Sequence, residues 1–341
     1  MEKEQLSYEE AIRRAVSEFC PDPSDLLIST YPKAGRPYAS GHRCSCIACG
    51  RVNLSREVAT PLSQGSEPDP EIIHRRACTS FRGCGLDCRA EQTEGTTWTQ
   101  EIVDLLLHNG DAEVCKRAPT AVRIPFLEIC APPPIPSGLD LIEQMKPPRV
   151  IKTHLPIQLV PKGFWENKCK VIYMARNAKD NLVSYFHFDR MNLTQPEPGP
   201  WDGYIHKFMK GQLGWGSWYD HVKGYWKEHK ERNILYILYE DMKENPFREI
   251  KRIMHYLDLS VSEDVIKRIV QLTSFQVMKD NPMANYSYIP KPVFDQSISV
   301  FMRKGEVGDW VNHFTSAQSQ MFDEDYANQM KDVDIPFRFS I

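Results

Sequence analysis

Four short apolar runs most strongly limit how this chain of 341 residues can fold. Each run has the length and the apolar content of a buried strand. The runs occupy residues 25–30, 149–154, 170–175 and 233–239. Helical patterns follow three of them, at Trp98 to Leu107, Asp180 to Phe188 and Pro246 to Leu257. A strand followed by a helix, repeated along the chain, predicts an α/β domain with a central parallel sheet flanked by helices.

The overall composition excludes several classes of protein. Hydrophobic residues make up 41% of the chain and charged residues 26%, which is typical of a globular protein. A net charge of −3 argues against a nucleic-acid partner, so any anion site has to be local. The amino-terminal sequence MEKEQLSYEEAIRRAVSEF is helical in pattern, without the apolar core of a signal peptide, and no later stretch approaches a membrane span. We therefore expect a cytoplasmic protein without a membrane partner.

Polar residues of unusual type follow the predicted strands. They are Lys33, Lys152 with His154, residues 176–184 and residues 239–241. In open parallel sheets, ligands bind beyond the carboxyl ends of the strands. The sequence therefore predicts an anion-binding or catalytic site at this edge of the sheet.

Residues 36–94 differ from the rest of the chain in composition and in the periodicity of their apolar residues. From Arg36 to Gly95 there are eight Arg, no Lys and six Cys, and neither a period of 2 nor one of 3.6 is sustained. Removing the segment would merge Gly35 and Gly95 into a single Gly and give TYPKAGTTW. We therefore predict one domain made of residues 1–35 and 95–341, interrupted by an irregular insert that a retained intron or an added exon would explain.

With the insert removed, the first strand leads through YPKAGTTW into a helix. This order places Lys33, two threonine hydroxyls and main-chain N–H groups at a helix amino terminus, where phosphate binds well. The pattern GxxxxGK[ST] is absent, which argues against an ordinary P-loop NTPase. On its own, the motif is equally compatible with a strand-to-helix turn that binds nothing.

Six segments, taken together, resemble the cytosolic sulfotransferase family. In chain order they are TYPKAG with GTTW, RVIKTHLP, YMARNAKDNLVSYFHF, LYEDMKENP, LTSF and FMRKGEVGDW. The sequences of these segments are most similar to those of the phenol and aryl branch of the family, including the 1B- and 1C-type members. The resemblance implies the P-loop-kinase-like sulfotransferase fold. It also implies transfer of a sulfuryl group from 3′-phosphoadenosine 5′-phosphosulfate (PAPS) to the hydroxyl or amine of a small, often phenolic, acceptor, as in phenol and xenobiotic metabolism.

The resemblance assigns the reaction to three residues. His154 matches the catalytic base, and an imidazole with a pKa near 6.5 suits the removal of an acceptor proton near neutral pH. Lys33 matches the lysine that stabilises charge on the oxygen between the sulfuryl and phosphate groups, and Lys152 the one that supports the transferring group. No metal is implied, because lysines and arginines already supply the positive charge.

The resemblance also assigns two binding surfaces. The acceptor site is Phe126, Lys152, His154, Phe188 and Tyr286. Arg176 to Ser184 and Arg303-Lys304-Gly305 resemble the grip on the 3′-phosphate of the donor. Four further residues match positions that surround the adenine of the donor: Trp98, Tyr239, Thr273 and Phe275. The complete predicted donor site is Lys33, Thr96, Thr97, Trp98, Arg176, Ser184, Tyr239, Thr273, Phe275, Phe301, Met302, Arg303, Lys304 and Gly305.

The insert leaves more than one function open, because it separates Lys33 from Thr96 in the donor loop. Closing a loop of about sixty residues costs only roughly 3 to 4 kcal/mol, so the fold can tolerate it. The alternatives to an active enzyme are a catalytically impaired splice form and a nucleotide-binding pseudoenzyme. A zinc module is disfavoured, because the cysteine spacings between Cys44 and Cys88 lack two standard ligand pairs.

One further departure concerns assembly. The dimer signature of the family, Lys-x3-Thr-Val-x3-Glu, aligns with Val311, Thr315, Ser316 and Gln320 and keeps only the Thr. A homodimer through this patch is therefore not favoured.

Overall fold

The computed structural model describes residues 8–31, 94–129 and 137–341 of the chain. Lys33, predicted to act in the donor loop, lies outside the described residues, as do residues 36–93 of the predicted insert with all of its cysteines. The division of the chain into one domain and an insert therefore stays a prediction.

The four predicted strands form one parallel sheet. They are β1 (Leu26–Thr30), β2 (Val150–Thr153), β3 (Lys170–Ala175) and β4 (Ile234–Leu238), and their spatial order is β2-β1-β3-β4. In the register, Ile28 pairs with Lys152 of β2 and with Ile172 of β3. Because β1 is central, its carboxyl end lies between those of β2 and β3.

The sheet is buried on both faces, which explains why its strands are continuous apolar runs. Alternate residues of a strand point to opposite faces. Leu27 and Val171 belong to the apolar cluster on one face, whereas Ile28 and Ile172 belong to the cluster on the other.

Helices cover both faces of the sheet. In chain order, the described α-helices are α1 (Tyr8–Ser17), α2 (Glu94–Leu107), α3 (Ala112–Cys115), α4 (Thr120–Arg123), α5 (Gly138–Gln144), α6 (Lys162–Glu166), α7 (Ala178–Met191), α8 (Trp201–Met209), α9 (Trp218–Glu228), α10 (Tyr239–Glu244), α11 (Pro246–Tyr256), α12 (Glu263–Leu272), α13 (Phe275–Asp280) and α14 (Ser316–Met330). Short 3-10 turns occur at Ile157–Leu159 and Asp309–Asn312. The predicted α/β class, a central parallel sheet flanked by helices, is confirmed.

The predicted helices α2, α7 and α11 are present. Two of them, α2 and α7, begin earlier than predicted, whereas α11 begins at the predicted residue. Helix α7 starts after Asn177, whose side chain accepts a hydrogen bond from the amide of Asp180. Helix α11 begins with Pro246, which suits a first turn whose N–H groups have no partner within the helix. Gly110 terminates the turn after α2 at φ +75°, a conformation that favours glycine.

Within the described parts of the chain, no helix is both long enough and apolar enough to span a bilayer.

Candidate active site

The polar residues predicted to follow the strands meet at one edge of the sheet. Thr30 is the last residue of β1, His154 directly follows β2, Arg176 directly follows β3 and Tyr239 directly follows β4. Parallel strands place their carboxyl ends side by side. The structure thus brings together the strand ends on which the sequence prediction depended.

His154 is fully buried at the end of β2. Its ring meets the ring of Phe126 edge to face at 4.8 Å between centroids, and that of Trp215 at 5.5 Å. Nδ1 lies 2.9 Å from the carbonyl oxygen of Thr30. A carbonyl oxygen can only accept, so Nδ1 carries the proton of the neutral ring. Nε2 is then the basic nitrogen, which is the form that a general base requires.

Lys152 lies inside β2 with its side chain fully buried. Its ammonium nitrogen lies 4.2 Å from the centre of the Phe126 ring, which is a cation–π contact. The main chain holds these two residues together, because Lys152 N donates to Pro125 O at 2.9 Å and Leu127 N donates to Lys152 O at 2.8 Å. A positive charge is therefore fixed beside the predicted base.

The start of α2 is connected to the same point. The hydroxyl oxygens of Thr30 and Thr96 lie 2.7 Å apart, and that of Thr30 is also 3.1 Å from Nδ1 of His154. Thr96 and Thr97 are both buried in the first turn of α2. The predicted phosphate-binding helix terminus and the predicted base are therefore joined through one hydroxyl group.

Three predicted donor residues form a second group. The rings of Trp98 and Tyr239 meet edge to face at 5.7 Å, and the guanidinium carbon of Arg176 lies 4.5 Å from the centre of the Tyr239 ring. Arg176 also donates a hydrogen bond to the carbonyl oxygen of Glu306 at 2.8 Å. This contact connects the end of β3 to the Arg303-Lys304-Gly305 segment.

Asp309 organises that basic segment. Its carboxylate accepts hydrogen bonds from the side chains of both Arg303 and Lys304, and it is nearly fully buried. Burial alone would raise the pKa of this carboxyl group, but the hydrogen bonds from Lys304, Asn312 and Arg303 outweigh burial and hold the pKa well below its usual range. The two cations are thus held together on one permanently ionised group.

Gly305 approaches Phe275 too closely for any side chain. Its φ is +64°, and an added Cβ would lie 2.3 Å from Cδ2 of Phe275. Phe275 opens α13, and Thr273, two residues earlier, uses its hydroxyl to cap α12 by donating to Ile269 O at 2.8 Å. Phe275, predicted to lie beside the adenine, therefore meets the predicted phosphate grip at this glycine.

The predicted acceptor residues Phe188 and Tyr286 lie in one apolar cluster with Phe301 and Met302. The ring of Tyr286 lies 4.6 Å from that of Phe301, which in turn lies 6.4 Å from that of Phe188. Trp98 and Phe275 pack against the same cluster. Phe126, the third predicted aromatic residue of the acceptor site, contacts His154 and Lys152 instead.

The predicted donor residue Ser184 is buried on α7, one turn before Phe188.

Residues 92–334 match the family described as "Sulfotransferase domain". The chain belongs to this family. Sulfotransferase 1B1 of Canis lupus familiaris is 51% identical over 247 residues, which is 72% of this chain and 83% of that protein. Sulfotransferase 1C2 of Homo sapiens is 53% identical over 243 residues, 71% of this chain and 82% of that protein.

Solved structures agree with the sequence relatives. Mouse sulfotransferase SULT7A1 complexed with PAP superposes with a TM-score of 0.64 at 25% identity, covering 96% of this chain and 91% of that one. Retinol dehydratase in complex with retinol and PAP superposes with a TM-score of 0.69 at 20% identity, which shows the fold alone. The predicted family, its fold and its reaction class, sulfuryl transfer by an enzyme, are thereby confirmed.

Four residues that contact the predicted site residues were not predicted from the sequence. Trp215, Asp309, Glu128 and His221 contact residues that the motifs identified. Glu128 had a detectable signal, because it is an acid inside the apolar run IPFLEI. Trp215 and His221 had none, because only the fold brings them to β2 from a distant part of the chain.

One group of potential metal ligands occurs among the described residues of the sulfotransferase, away from these strand ends. Donor atoms of Asp104, His108 and Cys115 lie within 4.8 Å of one another. Asp104, however, already binds the guanidinium of Arg117 at 2.8 Å and that of Arg123. Two fixed positive charges repel a cation, so we interpret the group as an ion-pair cluster.

Proposed function

We propose that this chain transfers a sulfuryl group from PAPS to the hydroxyl of a small, phenolic acceptor, with Nε2 of His154 as the general base. The observation that carries the proposal is the 2.9 Å contact from Nδ1 of His154 to the carbonyl oxygen of Thr30. This contact keeps the proton on Nδ1, and it leaves Nε2 able to take the proton of an acceptor hydroxyl.

Lys152 supplies the positive charge for the transferring group in this proposal. Its buried ammonium group is held within 4.2 Å of the Phe126 ring centre and therefore does not need to reorganise during the reaction. Lys33 would stabilise the oxygen that leaves with the nucleotide, so the proposal extends to a residue outside the described part of the chain.

The donor is supported by the chemistry of the residues that would hold it. Two cations bound to Asp309 can grip a 3′-phosphate, and Arg176 with Tyr239 offers a flat, charged surface. The first turn of α2 offers hydroxyl and amide donors for a 5′-phosphosulfate. PAP, found in the mouse SULT7A1 structure, is the product that PAPS leaves after sulfuryl transfer.

A phenolic acceptor is supported by the aromatic side chains among the predicted acceptor residues. Phe126 lies against the base, and Phe188, Tyr286 and Phe301 form one cluster. Flat apolar surfaces favour an aromatic ring, and they select for size and shape more than for a particular compound.

We further propose a cytoplasmic enzyme of phenol and xenobiotic metabolism whose residues 1–35 and 95–341 form one domain. At the aligned dimer signature, Thr315 caps α14 through a reciprocal pair of hydrogen bonds with Gln318. This local role explains why the Thr can be kept without a dimer. Measuring the mass of the purified chain in solution shows whether it forms a homodimer.

The test of the proposed function is transfer of labelled sulfate from PAPS to a simple phenol, with PAP binding measured in parallel. We expect turnover from the full chain, and near-abolished turnover with unchanged PAP binding from His154→Ala. Undiminished turnover by that variant would show that another group is the base.

A second form of the protein, without Arg36 to Gly95, separates the alternatives. If only the shortened form turns over, the full chain is an impaired splice form. If both forms bind PAP and neither turns over, the chain is a nucleotide-binding pseudoenzyme.

A further inference from the structure

The main chain of His154 is held on both sides by buried side chains from different parts of the fold. Its amide nitrogen donates to Oε1 of Glu128 at 2.6 Å. Its carbonyl oxygen lies 3.1 Å from Nε2 of His221. Glu128 is 0% exposed and His221 1% exposed. Neither residue belongs to the motifs that identified the site.

Glu128 reaches the end of β2 from the segment that follows α4. Its second oxygen, Oε2, accepts from the hydroxyl of Thr153 at 2.9 Å, and that hydroxyl accepts from the amide of Leu155 at 3.0 Å. Burial raises the pKa of Glu128 to about 7, although the hydrogen bonds from His154 and Thr153 act in the opposite direction, and both oxygens accept, which suits the ionised form. One buried carboxylate thus holds the main chain on both sides of His154.

His221 reaches the same point from α9, on the other side of the strand end. The carbonyl oxygen of His154 can only accept, so Nε2 of His221 carries the proton of the ring and donates it to this oxygen. Nδ1 of His221 then accepts from the hydroxyl of Tyr173, which lies 2.8 Å away. Burial lowers the pKa of His221 to about 4, so the ring is neutral near pH 7 and one tautomer satisfies both contacts. One turn later on α9, the hydroxyl of Tyr225 donates to the carbonyl oxygen of Leu155 at 2.9 Å.

We propose that Glu128 and His221 are positioning residues for sulfuryl transfer, because together they fix both main-chain polar atoms of His154 and hence the direction of its imidazole. This inference rests on the proposed role of His154 as the base. The ring can bind the carbonyl oxygen of Thr30 only when its own main chain is held in place. A displacement of about 1 Å at a reacting group can lower the rate on the order of 10²-fold.

The test needs a readout of the His154 ring that does not depend on turnover. Full-length chain labelled with ¹⁵N-histidine shows which ring nitrogen carries the proton, and subtraction of the His154→Gln spectrum assigns the signal. We expect the Nδ1–H tautomer in the unmodified chain and a mixture of both tautomers in Glu128→Ala and His221→Phe. For these two variants, kcat should fall on the order of 10²-fold with little change in KM for the donor.

Conservative variants keep the test interpretable if these two fold poorly. Glu128→Gln keeps an acceptor oxygen for the amide of His154, and His221→Gln keeps a donor near the position of Nε2. Each should restore part of the Nδ1–H signal and part of kcat relative to the truncation at the same position. A loss caused only by a weakened fold would not follow this order.

Asp25→Asn is the matched control. Asp25 is 1% exposed, and it accepts a hydrogen bond from the amide of Arg149 at 3.0 Å, at the opposite end of β2. Like Glu128→Gln, this change replaces a buried carboxylate that holds a main-chain amide beside the same strand. It should lower the melting temperature and leave the tautomer of His154 and the kcat of the folded fraction unchanged.

The possible results separate this inference from the proposed function. If all four Glu128 and His221 variants match the unmodified chain or the Asp25 control in tautomer and kcat, the positioning role is overturned. If no form of the chain turns over but the tautomer still responds as expected, the positioning of His154 stands and the proposed function fails.

Discussion

The hydroxyl of Thr30 lies within hydrogen-bond distance of both Oγ1 of Thr96, at 2.7 Å, and Nδ1 of His154, at 3.1 Å. The carbonyl oxygen of the same residue, at 2.9 Å, holds the imidazole in one tautomer. Thr30 therefore connects the helix that would bind the donor phosphate with the proposed base through two separate groups. Substitution can remove the hydroxyl and leave the carbonyl in place.

Thr30→Val should lower both PAP affinity and kcat by about fivefold, because a net hydrogen bond contributes about 1 kcal/mol. The tautomer of His154 should persist, because the main-chain carbonyl is kept. Binding and initial-rate measurements check this, with Thr30→Ser, which keeps the hydroxyl, as the control. Equal losses in the Ser and Val variants would show that the methyl group matters instead.

The sequence predicted those parts of the site that depend on a local pattern. Strand ends in a parallel sheet meet at one edge, so Lys152 and His154 could be identified at the end of one apolar run. The partners of these residues could not be identified in this way. Trp215 and His221 reach His154 only because the region around α9 packs against β2, a long-range contact without a periodic signal.

The segment Arg303-Lys304-Gly305 also has a partner that could not be identified from the sequence. The resemblance to the sulfotransferase family identifies its cations but does not reveal the role of Asp309. An acid six residues away from Arg303 is an ordinary surface residue in most sequences. Here the chain turns back at Gly308, whose φ is +90°, and the buried carboxylate meets both cations. Turn geometry of this kind is set by the fold as a whole.

Glu240 predicts a pH dependence of stability. It is fully buried and accepts a hydrogen bond from the amide of Asn177 at 2.8 Å, at the start of α7. Burial raises its pKa from 4.5 to about 7, although the hydrogen bonds from Asn177 and the charge of Arg176 act in the opposite direction. The folded chain therefore holds a proton between these two pH values that the unfolded chain has released.

Stability from this group should accordingly fall as the pH rises from about 4.5 to about 7. One pKa unit corresponds to about 1.4 kcal/mol, so the whole effect is about 3 kcal/mol. Glu240→Gln removes it, and the difference in unfolding free energy between the two proteins should change by about this amount between pH 4.5 and pH 8. Urea unfolding at several pH values measures it. Parallel pH curves for the two proteins would contradict the assignment.

Gly305→Ala tests the contact between the phosphate grip and the proposed adenine site. The added Cβ would lie 2.3 Å from Cδ2 of Phe275, on a main chain with φ of +64°. Both effects are unfavourable, and together they should destabilise the fold by roughly 1 to 3 kcal/mol. PAP affinity should fall by more than tenfold, because Phe275 or the basic segment has to move.

Gly203→Ala is the control for this change. Gly203 lies in α8, and nothing lies within 4 Å of an added Cβ. Alanine favours a helix over glycine by about 1 kcal/mol, so this variant should be more stable and should bind PAP normally. Thermal unfolding and calorimetric binding measure both variants. Normal PAP affinity in Gly305→Ala would separate this glycine from the nucleotide site.

Phe126→Leu should show that the aromatic ring beside the base acts on the reaction and not only on the acceptor. Leu keeps an apolar side chain but removes the π face that lies 4.2 Å from the ammonium of Lys152. A desolvated cation–π contact is worth about 2 kcal/mol, so we expect kcat to fall at least tenfold. Steady-state kinetics with a simple phenol measures kcat and the acceptor KM separately.

Phe188→Leu is the comparison, because its ring packs against Phe294 at 5.4 Å and against Phe301 at 6.4 Å, within the apolar cluster. This change alters the shape of the cluster and leaves the Lys152 and His154 contacts in place. The acceptor KM should rise while kcat changes by less than about twofold, which is the pattern of a lost uniform binding contact. If both variants changed only the acceptor KM, Phe126 would be a pocket wall like Phe188, and the charge on Lys152 would not depend on the ring.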